Sequence, residues 1–188
     1  FLRAQAVSDL YAPGSQGSFA FLLDMNLLFE QFVTRLLEEA LAGSGVAVRA
    51  QVRDRTIILE EPLLRPYAGI VPDILLESVD GLGRRRTPVD AKYKLYDESK
   101  LDPADVYQTF FYAYAYARDA DREQDQVRAY ILYPATAGKG GTRLLVRQDS
   151  GAISARIIAI PVDIAAALAA IRERRVAELP FTRMVAAG

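Results

Sequence analysis

The sequence predicts an α/β chain whose strands are organised around one central hairpin, with long helices before and after it. Three observations carry that expectation. Two strand-like runs, Val71-Pro72-Asp73-Ile74-Leu75-Leu76-Glu77 and Pro88-Val89-Asp90-Ala91-Lys92-Tyr93-Lys94, flank a turn containing Gly81 and Gly83. Two stretches, from Asp24 to about Leu41 and from Asp102 to about Arg118, carry helical patterning, each opened by an aspartate suited to an N-cap. Shorter β-rich runs follow, with no internal repeat and no second boundary. A chain of 188 residues is long enough for one such domain with a substantial core.

In order, Phe1 to Gly17 reads as a short helix or an irregular lead-in, because Pro13, Gly14 and Gly17 break its periodicity. The first residue is Phe1 rather than methionine, so the chain is expected to be a piece of a longer one. The helix after Asp24 places Met25, Phe29, Phe32, Leu36 and Ala40 on one side. Leu28, Val33, Leu37 and Leu41 widen that arc beyond a surface stripe. Glu30 falls inside it, as does Glu39. A carboxylate there is either a salt-bridged edge residue or one that needs a partner such as a metal. Gly43 and Gly45 end the helix. Val46 to Arg53 alternates as a half-exposed strand, with Val46, Val48 and Val52 inward and Arg49, Gln51 and Arg53 outward. Thr56 to Glu60 is expected to pair near it. Pro62, Pro66 and Gly69 mark a loop before the hairpin. Arg84, Arg85 and Arg86 are expected on the hairpin turn, either solvated or touching a phosphate backbone.

Asp102-Pro103 opens the second helix with an N-cap acid and proline at the first helical position. Aromatics surround it, so it is buried on two sides or faces a partner. Core packing accounts for most of them but not for polar Gln108, one turn from Tyr112. Val127 to Tyr133 reads as a strand ending in Pro134. Gly138 to Thr142 lacks the spacing of a phosphate-binding loop and reads as a turn. Leu144 to Arg147 and Ile153 to Ile160 complete the sheet, Val162 to Val176 is a final helix, and the tail from Glu178 is expected to be weakly ordered.

Composition narrows the chemistry. Histidine and cysteine are both absent, which excludes a Ser-His-Asp triad, histidine-ligated zinc, thiolate catalysis and disulfides. The lack of cysteine fits a cytoplasmic setting. Any metal site must use oxygen ligands, which suits Mg²⁺, with Mn²⁺ as a substitute. The net charge of −1 lacks the basic excess of an autonomous DNA-binding module. No run of about 18 apolar residues exists to span a membrane, and no signal peptide is visible.

The hairpin carries the chemistry. Alternation puts Asp90, Lys92 and Lys94 on one face of the second strand and Val89, Ala91 and Tyr93 on the other. In-register pairing brings Asp73 beside Asp90. Two carboxylates beside a lysine suit metal-assisted phosphodiester hydrolysis. Asp73 and Asp90 would be the ligands, with the Ala91 backbone carbonyl as another and Glu30 acting through water or a second ion. Lys92 can orient the water or meet developing negative charge. Without a cation, crowded carboxylates repel and at least one pKa rises.

The ordered set Glu30, Val71-Pro72-Asp73, Asp90-Ala91-Lys92 and Gln108-x-x-x-Tyr112 resembles the PD-(D/E)xK nuclease superfamily. Leu27-Leu28-Phe29-Glu30-Gln31-Phe32-Val33, Asp90-Ala91-Lys92-Tyr93-Lys94 and Asp105-Val106-Tyr107-Gln108 are similar to the nuclease domain of the McrC family, the cleavage subunit of McrBC modification-dependent restriction systems. The likeness covers roughly Phe21 to Tyr133. It implies a restriction-endonuclease-like fold, a mixed β-sheet flanked by helices, over residues 21–188, with residues 1–20 the remnant of an N-terminal region. It implies a Mg²⁺-dependent DNA endonuclease partnered by an McrB-like AAA+ GTPase ring that delivers DNA, and it admits dimerisation of nuclease domains. By position, Asp73, Asp90 and Lys92 are then catalytic, and Glu30 and Gln108 support them. Lys94 and Tyr112 join Arg84, Arg85 and Arg86 as DNA-contact candidates. The alternatives are another nuclease of the superfamily, such as a RecB-like repair enzyme, or a non-catalytic interaction module on this fold.

Overall fold

The computed structural model describes residues 24–94, 100–123, 126–136 and 140–186. The expected lead-in over residues 1–20 and the Gly138-Lys139 turn lie outside them. Helix α1 (Met25–Ala40) begins where expected. The Asp24 side chain accepts hydrogen bonds from the N–H groups of Asn26 and Leu27, satisfying two of the amides that the first turn leaves free. Leu41 caps its end, and Gly43 and Gly45 follow at φ +77° and +83°, backbone that residues with a Cβ rarely adopt.

A six-stranded sheet forms the middle layer, in the order β1 (Ala47–Ala50), β4 (Ile74–Asp80), β5 (Gly83–Ala91), β6 (Arg128–Ala135), β8 (Ile153–Asp163) and β7 (Thr142–Arg147). It is mixed: β5–β6 and β6–β8 run parallel, and the other pairs run antiparallel. The parallel step from β5 to β6 needs a crossover, supplied by α2 (Pro103–Tyr116) and the short α3 (Asp119–Glu123).

Period-two alternation divides the sheet between two apolar layers. Ile74, Leu76, Val89, Ala91, Tyr130 and Leu132 pack in one cluster with Phe29, Val33, Leu36 and Leu37 of α1. Leu75 and Ile131 point the other way, into clusters with Tyr112 and Phe110 of α2 respectively. The result is a restriction-endonuclease-like sandwich of helix, sheet and helix.

Several expectations need correction. The strand after α1 stops at Ala50, because Gln51 turns into left-handed backbone at φ +47°. Residues Thr56 to Glu60 do not pair with it. They lie in β2 (Asp54–Glu60), which forms a separate two-stranded ribbon with β3 (Arg65–Ile70). Pro66 and Gly69 are therefore strand residues; proline fits because a two-stranded ribbon consists only of edges. Val162 continues β8, and α4 (Ile164–Arg172) starts after the Asp163 cap. Up to Ala186 the tail is built into the fold: α5 (Pro180–Ala186) follows a 3₁₀ turn over Val176–Glu178, and Leu179, Phe181 and Val185 enter the core beneath α1. Thr182 satisfies its hydroxyl there by donating to the Leu179 carbonyl at 2.8 Å. Among the described residues, no helix is long and apolar enough to cross a membrane.

Candidate active site

The hairpin pairs in the register that its chemistry requires. Ile74 opposite Val89 is the last pair of the ladder, and Asp73, just before β4, lies close enough to Asp90 for its charge to act on that carboxyl. The Asp73 carboxylate is fixed from the neighbouring strand, where Oδ2 accepts a 2.8 Å hydrogen bond from the N–H of Ala91. Asp90 is 2 % exposed. Its Oδ2 stands 3.0 Å from Lys92 Nζ. The pair is close but poorly aligned, and that buried oxygen lacks a well-formed hydrogen bond. Burial, and next the Asp73 charge, push the Asp90 carboxyl well above the usual carboxylate range.

Helix α2 supplies the opposite wall. Lys92 Nζ donates to Gln108 Oε1 at 3.0 Å, Gln108 Nε2 donates to the Tyr112 hydroxyl at 3.2 Å, and that hydroxyl donates to the Val71 carbonyl at 3.3 Å. The four-residue spacing of Gln108 and Tyr112 stacks them on one helix face. Their chain of bonds runs from the lysine back to the residue that precedes Pro72-Asp73. Burial works against the Lys92 charge, but the Asp90, Asp73 and Asp105 carboxylates together outweigh it, so the ammonium is held more firmly than in water.

Glu30 arrives from α1, half-buried. Burial, and then the Asp73 charge, raise its pKa. Its Oε1 accepts a 2.8 Å hydrogen bond from Gln51 Nε2. Asp73, Asp90, Lys92 and Gln108 thus lie together, and Glu30 joins them through the charges of Asp73 and Lys92 rather than through a direct bond. Gln51 is the addition. In sequence it is one polar residue at an outward position of an alternating strand, and nothing there distinguishes it.

The DNA-contact candidates fare differently. Arg84, Arg85 and Arg86 are not on the turn, which is formed by Gly81 and Leu82 between Asp80 and Gly83. They lie in β5 and meet carboxylates. Arg84 and Arg86 pair with Glu77 at 3.8 and 3.2 Å, Arg86 also reaches Asp54 at 3.7 Å, and Arg85 approaches Asp121 at 3.8 Å. Lys94 is engaged by Asp105 and Asp102 at 2.8 and 3.2 Å, tying the end of the hairpin to the start of α2. Tyr112 is buried, with its hydroxyl committed to the network above.

The donor set suits a small divalent ion. Among the described residues no three acidic groups form a ready-made metal cage. Two neighbouring carboxylates match the habit of Mg²⁺, which keeps several waters and takes one or two carboxylates from the protein. The buried Asp90 Oδ2, with the Lys92 ammonium 3.0 Å away but no well-formed hydrogen bond, is an acceptor of the kind such an ion uses.

The model of the family described as McrBC 5-methylcytosine restriction system component matches residues 4–134, more than half of the chain. The chain belongs to that family. The match spans Glu30, the whole hairpin and α2, so every residue of the cluster falls inside the McrBC family region. The fold is similar to a chain in the solved half-complex from a tetradecameric assembly of Thermococcus gammatolerans McrB AAA+ hexamers with bound McrC. That likeness has a TM-score of 0.51 and 19% identity over 77% of this chain. This McrBC-family chain spans only 30% of the length of that one. No curated protein sequence matches it.

Proposed function

We propose that this chain is a metal-dependent DNA endonuclease, the cleavage subunit of an McrBC-like restriction system whose AAA+ GTPase partner delivers the DNA. The observation that carries the reading is the convergence of Asp73, Asp90 and Lys92, from two paired strands, on one spot backed by Gln108. Family membership and the likeness to a chain from an assembly of McrB with McrC support the partner.

Asp73, Asp90 and the Ala91 carbonyl would hold Mg²⁺, with Glu30 reaching it through water. The ion, when bound, supplies a water acidic enough to attack at neutral pH and positive charge beside the scissile phosphate. The residues of the chain do the rest. The Ala91 N–H keeps the Asp73 carboxylate aimed at Asp90. Lys92 presents a charged donor where negative charge grows on the phosphate. Gln108 holds that ammonium over the site, so little reorganisation is needed during the reaction. The near-neutral chain makes few phosphate contacts of its own, in keeping with DNA brought by a motor.

The test is cleavage of a methylated circular plasmid by the assembled complex in Mg²⁺. The wild-type subunit should cut it, and Asp73→Ala and Asp90→Ala should not. Normal cutting by either variant refutes the assignment. Cutting of linear ends alone, with circles spared, would instead favour a repair exonuclease of the same superfamily.

A further inference from the structure

Gln51 has no place in the acid–acid–lysine pattern, yet it touches two members of the cluster. It follows the last rung of β1, where Ala50 lies opposite Ile74. Its backbone N–H donates to the Asp73 carbonyl at 2.9 Å, and its side-chain Nε2 donates to Glu30 Oε1 at 2.8 Å. One residue thus holds the carboxylate of an acid 21 residues before it and the backbone of another acid after it.

The backbone of Gln51 makes the arrangement less ordinary. Its φ is +47°, a left-handed conformation that costs a residue with a Cβ on the order of 1 kcal/mol. An untwisted strand end would project the side chain along the alternation of β1. The left-handed turn accompanies its delivery to α1. Glu30 and Gln51 also line an open polar cavity of about 420 Å³, so the pair is reached by solvent.

We infer that Gln51 is a positioning residue for the divalent-ion site, aiming the Glu30 carboxylate at the ion while locking the Asp73 backbone. The inference rests on the function proposed above. Gln51 itself touches neither ion nor DNA; it acts through Glu30, as residues behind metal ligands do.

Titrating MnCl₂ into the full-length protein by calorimetry tests this without requiring cleavage. Gln51→Gly keeps the backbone conformation at no steric cost and removes the donor. It should weaken Mn²⁺ binding roughly tenfold or more, with the melting temperature held. Gln51→Asn, which tolerates left-handed backbone but is one methylene too short, should behave alike and serves if the glycine variant folds poorly. Glu30→Ala should weaken binding, and adding Gln51→Gly to it should change nothing further, because the two act as one unit. Wild-type affinity in both position-51 variants, with Asp90→Asn abolishing binding, overturns the inference and leaves the nuclease reading standing. Additive losses at positions 30 and 51 overturn it too. Absence of Mn²⁺ binding by the wild type removes the nuclease reading itself.

Discussion

The N–H of Ala91 donates a 2.8 Å hydrogen bond to Oδ2 of Asp73. A strand edge thereby orients a carboxylate belonging to the other arm of the hairpin. Antiparallel register fixes which residues face each other, and a slip by one residue would put Asp90 among the apolar residues under α1. The candidate site is thus a consequence of sheet pairing, with α1 and α2 adding Glu30 and Gln108 from either side.

Lys92→Ala in the assembled complex should lower the cleavage rate by about a hundredfold or more, the cost typical of losing one aimed donor to developing charge. Its folding should survive, because Lys92 lies beyond the end of β5. Melting curves and single-turnover plasmid cleavage check both halves. Unchanged cleavage would remove Lys92 from the machinery.

Asp90→Asn should stabilise the metal-free protein at alkaline pH. Burial, then Asp73, raise the Asp90 pKa from 3.8 to about 7. A carboxyl whose folded pKa lies above its unfolded value binds its proton more tightly when folded. Stability therefore falls as pH rises through that interval. The amide does not ionise, so in EDTA at pH about 8.5 the variant should gain on the order of 2 kcal/mol, and the gain should vanish below pH about 4. Denaturant unfolding at the two pH values measures it. A variant less stable at alkaline pH would contradict the electrostatic account.

Arg118→Ala should destabilise the fold and flatten its acid limb. Arg118 bonds Asp121 at 2.9 and 3.0 Å and Asp80 at 2.7 and 3.0 Å, joining the hairpin turn to α3. Its hydrogen bonds hold the Asp80 pKa down to about 2 and lower that of buried Asp121. Depressed acids stabilise the fold above their usual range, and that contribution is lost as pH falls from about 4 toward 2. The loss at neutral pH should be about 2 kcal/mol, chiefly from stranding buried Asp121. Urea unfolding from pH 7 to 2.5 reads both effects.

Phe181→Ala should cost about 3 kcal/mol or more. The side chain is 3% exposed, in the cluster with α1, and its removal leaves a cavity. A cost below about 1 kcal/mol would mean that α5 contributes little to the core.

Much of this was legible in sequence because it depends on local patterning. Asp24 and Asp102-Pro103 announced their helices, and alternation about Gly81-Leu82-Gly83 set the hairpin whose register brings Asp73 to the Ala91 N–H, beside Asp90. The arginines at 84–86 were misplaced because a charged run beside glycines resembles a turn tip. The pairing of Glu77 with Arg84 and Arg86 depends on strand neighbours that composition does not reveal. The β2–β3 ribbon was hidden by Pro66 and Gly69, residues that usually mark loops. The order of α5 was hidden by its shortness, since its packing comes from tertiary contact with α1. Gln51 was out of reach for a similar reason: its role depends on one backbone angle and on Glu30, 21 residues away.

The central claim is that Asp73 and Asp90 share one divalent ion. Crystals soaked in Mn²⁺, with anomalous diffraction recorded, test it most directly. The account predicts one strong peak within ligand distance of both carboxylates, and its loss in Asp90→Asn. A Mn²⁺ peak elsewhere on the molecule, with none between Asp73 and Asp90, would contradict it.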